Sequence, residues 1–380
     1  MISSSAVIGL GYGDEGKGSV VNYLSKQYPN PLIVRYSGGQ QAGHTVVTPT
    51  GLKHIFSNFG SGTLSGHPTY WSKYCTIDPI GIIRELNVIL SLSDKIRPSL
   101  EIDAKCPVTT PYDTLYSQTS DTYQKNGSCG VGVGSTIQRE ANHYSLTFND
   151  LFYPKILDIK LDLIHKYYIS LGIKETNDLN NNIQLFRNCI NLITNKSHYI
   201  EITWGIPKHI NGHNIYEYIF EGSQGLMLDQ NIGFFPHVTH SNTGTKNIMK
   251  MGFSPQLFLV TRAYDTRHGN GPMTSDETLD IIIDPNETNV KNKHQGMLRR
   301  SLLDLDRLKY VTEKDEYIRQ SKRFSTLVIT CLDHLNEYKY IKDRKVIKLD
   351  NEDMFVETIA KYIGIPIKNV IRSNKPYIDK

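Results

Sequence analysis

The sequence predicts an α/β fold with a mostly parallel central sheet, a phosphate-binding loop near the N-terminus, flanking helices and an inserted helical layer. An apolar strand at 5–10 runs into the glycine-rich stretch "GLGYGDEGKGS" at 9–19, a helix follows at 19–26, and a second apolar strand, "PLIVRY", covers 31–36. This order of strand, glycine turn, helix and strand is typical of the start of a parallel sheet. Two β-branched runs, within 255–272 and 324–335, also end in polar residues, as ligand-binding strands of open α/β sheets do.

The remaining segments fit one elaborated domain over 1–380. Residues 155–200 are predicted to form two amphipathic helices around an Asn-rich turn, and the last 30 residues a helix followed by a short strand. Residues 283–298 are polar, and we expect a mobile loop there, reaching to about residue 299. No internal repeat and no clean linker divides the chain.

Composition limits the classes of protein that remain. The 380 residues are 39% hydrophobic and 21% charged, with a net charge of +4 and no long basic block, so we expect no nucleic-acid partner. No apolar run approaches membrane-spanning length and no signal peptide is evident, which predicts no membrane partner. Five cysteines without a CxxC pair favour reduced thiols in the cytoplasm and argue against a zinc site.

The glycine loop satisfies two incompatible patterns, both starting at Gly11. Read as GxGxxG, it is a dinucleotide fingerprint, but that motif needs an acid at the end of the second strand, and none is there. Read as GxxxxGK, it is a phosphate loop in which Gly18 replaces the hydroxyl residue that usually holds magnesium. Asp14 and Glu15 would repel phosphate unless a cation or a proton acceptor is needed there. A tight turn with solvated charges is the third alternative.

A second glycine-rich stretch, "SGGQQAGHT" at 37–45, follows the next strand. A histidine there is by itself more often a surface or structural residue. Beside a phosphate-binding loop, His44 becomes a candidate for stabilising a phosphoryl oxygen or donating a proton.

The two loops together, "GYGDEGKG" and "VRYSGGQQAGHT", closely resemble the adenylosuccinate synthetase family. Further matching motifs follow in the same order along most of the chain: "GVGVG", "FEGSQGLMLD", "FPHVTHSNT", "AYDTRHGNGP", "RRSLLDLD" and "TCLD". The resemblance implies the family's α/β fold and a two-step ligation. An aspartate takes the N1 proton of a 6-oxopurine while the γ-phosphate of a nucleoside triphosphate moves to O6, and the amine of L-aspartate then displaces that phosphate.

The resemblance also implies roles for individual residues. Asp14 would be the base, His44 would stabilise the transferring phosphoryl group, and Gln224 would orient His44 or touch the purine. Mg²⁺ would be the cofactor, held by Asp14 and the backbone oxygen of Gly43. The triphosphate would be cradled by Gly13, Glu15, Gly16, Lys17, Gly18, Gly43, Thr45 and Asp333. The purine monophosphate would contact Asp14, Gln41, Ser128, Cys129, Gln224, Thr239 and Met297. L-Aspartate would contact Gln295, Gly296 and Arg299.

Several positions depart from the family pattern. Met297 replaces an arginine that reaches both the aspartate and the ribose 2′-hydroxyl, which favours a substrate without that hydroxyl. "TCLD" lacks the lysine of the guanine-reading TKxD motif, which weakens the case for GTP. Gln41, Ser128 and Cys129 replace an asparagine and a Thr-Thr pair, and His143 aligns with an arginine that the partner subunit donates.

Together these departures resemble a phage branch of the family, the N6-succino-2-amino-2′-deoxyadenylate synthases, which use dGMP with ATP or dATP to make 2-aminoadenine DNA. The resemblance implies a homodimer, in the host cytoplasm if a phage encodes it. One alternative is an ordinary adenylosuccinate synthetase that uses IMP and GTP. Retention of Asp14 fits both substrates, since each carries an N1 proton. Another alternative is a non-catalytic nucleotide-binding homologue.

Overall fold

We describe the fold from a computed structural model, which covers residues 2–125, 127–196, 198–274, 279–282, 298–375 and 377–378. The helices are α1 (Lys17–Ser25), α2 (Pro79–Leu92), α3 (Pro111–Thr119), α4 (Asp121–Lys125), α5 (Val133–Ala141), α6 (Pro154–Ser170), α7 (Asn177–Lys196), α8 (Lys246–Lys250), α9 (Leu305–Lys314), α10 (Glu316–Ser321) and α11 (Glu352–Ile363). The strands are β1 (Ser3–Gly9), β2 (Pro31–Arg35), β3 (His44–Val47), β4 (Lys53–Phe56), β5 (Thr69–Trp71), β6 (Leu100–Asp103), β7 (Ile200–Thr203), β8 (His209–Ile210), β9 (His213–Asn214), β10 (Glu217–Gly225), β11 (Gln256–Arg262), β12 (Tyr264–Arg267), β13 (Arg299–Asp304), β14 (Thr326–Thr330), β15 (Tyr338–Lys342), β16 (Lys345–Leu349) and β17 (Val370–Ser373).

Within the described ranges, nine strands form one sheet in the order β17-β14-β11-β1-β10-β2-β5-β6-β7. Every neighbouring pair in that sheet is parallel, which confirms the predicted α/β class. The carboxyl ends of the strands therefore meet at one edge, and the segments that carry Asp14, Gln41, His44, Gln224 and Asp333 lie there. We call this edge, with the loops after β1, β2, β10, β11 and β14, the site edge.

Local chemistry explains where the first helix begins. Gly16 caps α1 with a φ of 85°, a left-handed conformation that glycine adopts without strain from a Cβ atom. The helix begins at Lys17, two residues before the predicted start, and packs Val20, Val21 and Leu24 against one face of the central strands. That packing fixes the end of the glycine loop against the sheet.

The predicted helical layer at 155–200 is confirmed as α6 and α7. Both helices pack with α2 on an apolar cluster over β5 and β6. We call the strands β5, β6 and β7 the far half of the sheet. The predicted C-terminal helix and strand are α11 and β17. Residues 255–272 differ from a single strand with a polar tail, because β12 leaves the main sheet and pairs antiparallel with β13 in a four-stranded sheet. In the ranges described, no helix is both long and apolar enough to span a bilayer.

Candidate active site at the carboxyl edge of the sheet

The glycine loop is organised around the buried side chain of Glu15. Its Oε1 accepts the backbone N–H groups of Gly11, at 3.0 Å, and Gly13, at 2.8 Å, while Lys17 Nζ lies 2.6 Å from Oε2. Burial raises the pKa of Glu15, but the charge of Lys17 and these hydrogen bonds outweigh it and lower the pKa below its ordinary value. The side chain of Glu15 thus binds its own loop.

A steric contact explains why this loop carries glycine where a phosphate loop usually has a hydroxyl residue. A Cβ atom at Gly18 would lie 3.0 Å from His44 Cβ and 3.1 Å from both Thr45 O and Ser61 Oγ. These distances are too short for a side chain without movement of the β3 backbone. The close approach places α1 against the start of β3, so the two glycine-rich loops meet at the site edge.

Asp14 lies at the tip of the loop with a φ of 61° and a side chain that is 21% exposed. Its backbone oxygen accepts a hydrogen bond from Arg262 Nε, and its Oδ2 lies 3.7 Å from His268 Nε2. Burial raises the pKa of the Asp14 carboxyl above its ordinary value, and the charges of Arg262 and His268 oppose that rise. A raised pKa makes the carboxylate a stronger base, which suits a general base.

The ring of His44 is buried and held at both nitrogens. Nδ1 lies 2.6 Å from Oε1 of Glu221 on β10, and Nε2 lies 3.3 Å from the backbone oxygen of Ser223. Burial lowers the pKa of His44, and Glu221 opposes that effect. Burial also acts to raise the pKa of Glu221, but the charge and hydrogen bond of His44, with Arg35 and Ser61, lower it to about 2.

Two glutamines predicted to touch the purine carry unpartnered polar atoms. Gln41 Nε2 and Oε1 and Gln224 Oε1 are buried, and none has a hydrogen-bond partner in the described part of the chain. Gln224 lies near the end of β10 and Gln41 in the loop after β2, on adjacent strands of the site edge. Because burying an unpaired amide is costly, these atoms are suited to a polar ligand.

The predicted monophosphate residues lie in separate loops. Ser128 and Cys129 are half-buried ahead of α5, where Ser128 Oγ accepts the N–H of Gly130 at 3.3 Å and pairs with Ser117. Burial raises the pKa of the Cys129 thiol, so it is a poor nucleophile at neutral pH. Thr239 is half-buried, and its N–H donates to Leu228 O at 2.8 Å.

The remaining predicted residues lie around this centre or outside the described residues. Asp333 is exposed just after β14, and Thr330 Oγ1 at the end of that strand donates to Glu15 O at 2.9 Å, joining it to the glycine loop. Arg299 Nη2 donates to Gly269 O at 2.6 Å. Gln295, Gly296 and Met297 lie outside the described residues, as does the predicted mobile loop apart from its last residues.

The residues predicted to bind Mg²⁺ fit the ion only if oxygen atoms of the substrate supply further ligands. No cluster of three or more His, Cys, Asp or Glu side chains suited to a metal occurs in the part of the chain described. Asp14 offers one partly exposed carboxylate, and Gly43 is exposed at the neighbouring loop. Mg²⁺ is commonly bound in this way, through one or two carboxylates plus phosphate oxygens of the substrate.

Sequence reasoning did not assign Glu221, Ser61 or His268. Glu221 stands three residues before Gln224 inside a quoted motif, and His268 lies inside "AYDTRHGNGP". The presence of Glu221 and His268 in those motifs was the one signal that could have identified them. Their contacts could not be predicted, because they join residues far apart in the chain, such as His44 and Glu221, which are 177 positions apart.

Comparison with known proteins gives a consistent picture. A family model described as adenylosuccinate synthetase matches residues 6–362. The adenylosuccinate synthetase of Glaesserella parasuis is 31% identical over 290 residues, which cover 73% of this chain and 65% of that protein. The enzyme of the same name from Borrelia duttonii is 28% identical over 354 residues, which cover 89% of this chain and 78% of that protein.

Two solved structures share the fold over nearly the whole chain. Fully ligated adenylosuccinate synthetase from Plasmodium falciparum has a TM-score of 0.76 at 18% identity, covering 98% of this chain and 97% of its own. Succinoaminodeoxyadenylate synthetase of cyanophage S-2L, bound to dGMP and dATP, has a TM-score of 0.64 at 14% identity, covering 99% and 94%.

Proposed function

This chain belongs to the adenylosuccinate synthetase family, and on that premise we propose that it joins L-aspartate to carbon 6 of a purine nucleoside 5′-monophosphate. The observation that carries the proposal is that the carboxyl ends of the adjacent strands β1, β10 and β2 lead to Asp14, Gln224 and His44, beside a phosphate-type loop. In the first step Asp14 takes the N1 proton while the γ-phosphoryl group moves from the nucleoside triphosphate to O6, which releases the nucleoside diphosphate. In the second step the aspartate amine bonds to C6 and loses a proton, and inorganic phosphate leaves with the C6–O bond broken.

Each residue has a chemical task in this scheme. Burial raises the pKa of Asp14, which makes its carboxylate a stronger base for the N1 proton. His44 places an imidazole N–H beside the transferring group, and Gln224 offers an unpartnered amide oxygen to the purine. Mg²⁺, when bound through Asp14 and Gly43, would neutralise phosphate charge, which is the main requirement of phosphoryl transfer.

For the substrates we favour dGMP with ATP or dATP. Met297 removes the arginine that would pair with a ribose 2′-hydroxyl, and Cys331 stands where the guanine-reading motif has lysine. The cyanophage neighbour, which was solved with dGMP and dATP, agrees with this choice. IMP with GTP is the second candidate, because the curated relatives are named adenylosuccinate synthetase and the Plasmodium structure has the higher TM-score.

Phosphate release with Mg²⁺ and L-aspartate distinguishes the candidates. We would measure it for IMP and dGMP, each with GTP and with ATP. Turnover that requires dGMP and ATP supports the favoured substrates, while turnover only with IMP and GTP overturns them and leaves the ligase assignment intact. No turnover with any combination favours a non-catalytic homologue. Light scattering tests the homodimer that we also propose.

The sugar preference has its own test in Met297→Arg. The new guanidinium would restore a donor for a 2′-hydroxyl, so we expect the ratio of ribonucleotide to deoxyribonucleotide kcat/KM to rise about tenfold. Met297→Leu is the matched control, since it keeps an apolar side chain. An unchanged ratio in Met297→Arg would remove the argument from the missing arginine.

A further inference from the structure

Glu221 lies inside the sheet, on β10 between β1 and β2, and is fully buried. Three donors converge on its carboxylate. Oε1 lies 2.6 Å from His44 Nδ1 and also accepts the hydroxyl of Ser61, while Oε2 accepts the backbone N–H of Ser61 at 3.1 Å. Both oxygens are thus held by separate donors, so the carboxylate has one orientation.

That orientation fixes the ring of His44. Because Glu221 accepts at Nδ1, this nitrogen carries a proton, and a ring turned by half a rotation would put a C–H group against the carboxylate. The contact at the other nitrogen is weaker, since Nε2 lies 3.3 Å from the backbone oxygen of Ser223. The backbone oxygen of Ser223 is an acceptor, so Nε2 must carry a proton as well in order to bond it. A phosphoryl oxygen can replace that long contact at the Nε2–H without disturbing the short one.

A second buried charge, that of Arg35, lies next to Glu221. Arg35 is its register partner on β2, is fully buried, and stacks 5.3 Å from the centre of the Trp71 ring. A buried carboxylate costs folding energy unless charges and donors surround it, and an apolar residue would serve packing at lower cost. Such a carboxylate is useful where it orients a catalytic side chain, as a third group does in many active sites.

We propose that Glu221, held by Ser61, is a positioning residue that aims Nε2 of His44 at the transferring phosphoryl group. The inference rests on the proposed function, which gives His44 its substrate. It assigns Glu221 no contact with the reacting atoms.

Glu221→Gln tests the proposal. One face of the new amide is an NH₂ group, which must meet either the Nδ1–H of His44 or the N–H of Ser61, so a donor opposes a donor. We expect kcat to fall about 10- to 100-fold while KM for the nucleotides changes less than about threefold. ¹⁵N spectra of histidine-labelled protein, assigned with His44→Asn, should show altered ring-nitrogen shifts of His44 without any substrate.

Glu217→Gln is the matched control. Glu217 lies on the same strand, is equally buried, and accepts the hydroxyls of Ser3 and Ser5, with Ser5 Oγ at 2.7 Å. It is remote from His44 in the register of β10, so its variant should keep kcat and the His44 spectrum. An equal loss of kcat in both variants would mean that Glu221 is only structural and would overturn the proposal.

The His44→Asn background separates this inference from the proposed function. If Glu221 acts through His44, Glu221→Gln causes no further loss of turnover in His44→Asn protein. An additional full loss there overturns the positioning role. If His44→Asn alone leaves turnover unchanged, the catalytic assignment of His44 fails. If His44→Asn loses turnover while Glu221→Gln retains kcat and the His44 spectrum, only the present inference fails.

Discussion

Glu221 and Glu101 lie on two strands of the same parallel sheet and are both buried, yet their carboxyl groups have opposite surroundings. In both, burial acts to raise the pKa. At Glu221 the charge of His44, together with Arg35 and Ser61, reverses that effect and brings the pKa to about 2. At Glu101, in the far half of the sheet, the neighbouring Glu201 adds to burial and the pKa rises to about 7.

The difference shows that burial alone does not set the charge of a strand carboxyl in this fold. The site edge supplies donors and cations, so Glu221 remains an anion next to a histidine. In the far half, two carboxyls lie in register, so protonation is the cheaper state for one of them. Variants in the two regions should therefore separate activity from stability.

The largest effect is expected at the site edge, for Asp14→Asn. The amide cannot accept the N1 proton, so turnover should fall by about 10²- to 10⁴-fold. Stability should not fall near neutral pH, because the change removes a carboxyl whose pKa burial raises. Phosphate release and thermal melting measure the two quantities. Retained turnover would show that Asp14 is not the base, and a large drop in Tm would show that it is structural.

Gly18→Ser tests the contact that joins the two glycine-rich loops. The added atoms would press on His44 Cβ and Thr45 O, so the free energy of unfolding should fall by about 1–3 kcal/mol, and turnover should fall with it. Urea unfolding provides the measurement. Gly43→Ala is the control for stability, since its Cβ would meet Ile55 at an ordinary 3.4 Å. Equal stability of the Gly18→Ser variant and the original protein would contradict the steric explanation.

The smallest effect is expected in the far half, for Glu101→Gln. A carboxyl whose folded pKa of about 7 exceeds its ordinary 4.5 stabilises the fold below 4.5 and loses that contribution as pH rises through 7. The Gln variant stays neutral, so its Tm should exceed that of the original protein increasingly over this window, with turnover unchanged. Melting curves across the same pH range check this. Parallel Tm profiles would mean that the Glu101 pKa is close to ordinary.

The sequence was sufficient for the features that local pattern determines. The strand, glycine turn, helix and second strand at the N-terminus were predicted within two residues, because apolar runs and glycines mark them directly. The gathering of Asp14, His44 and Gln224 at one edge followed from parallel strands and the family resemblance. The contacts of Glu221 with His44 and Ser61 depend on strand order and packing, which no local pattern specifies. The letters of the glycine loop likewise cannot tell whether Glu15 faces a ligand or its own backbone.

The inward carboxylate of Glu15 has a consequence for how this loop selects ligands. Two amide hydrogens and the Lys17 ammonium already bind an anion that belongs to the chain. Any phosphate that uses these donors competes with the Glu15 carboxylate, whose effective concentration is constant because it belongs to the same chain. The binding free energy of that phosphate is then the difference between its own interaction with these donors and the interaction that the Glu15 carboxylate gives up. We therefore expect small inorganic anions to bind this loop weakly and a polyphosphate with further contacts to bind it more tightly.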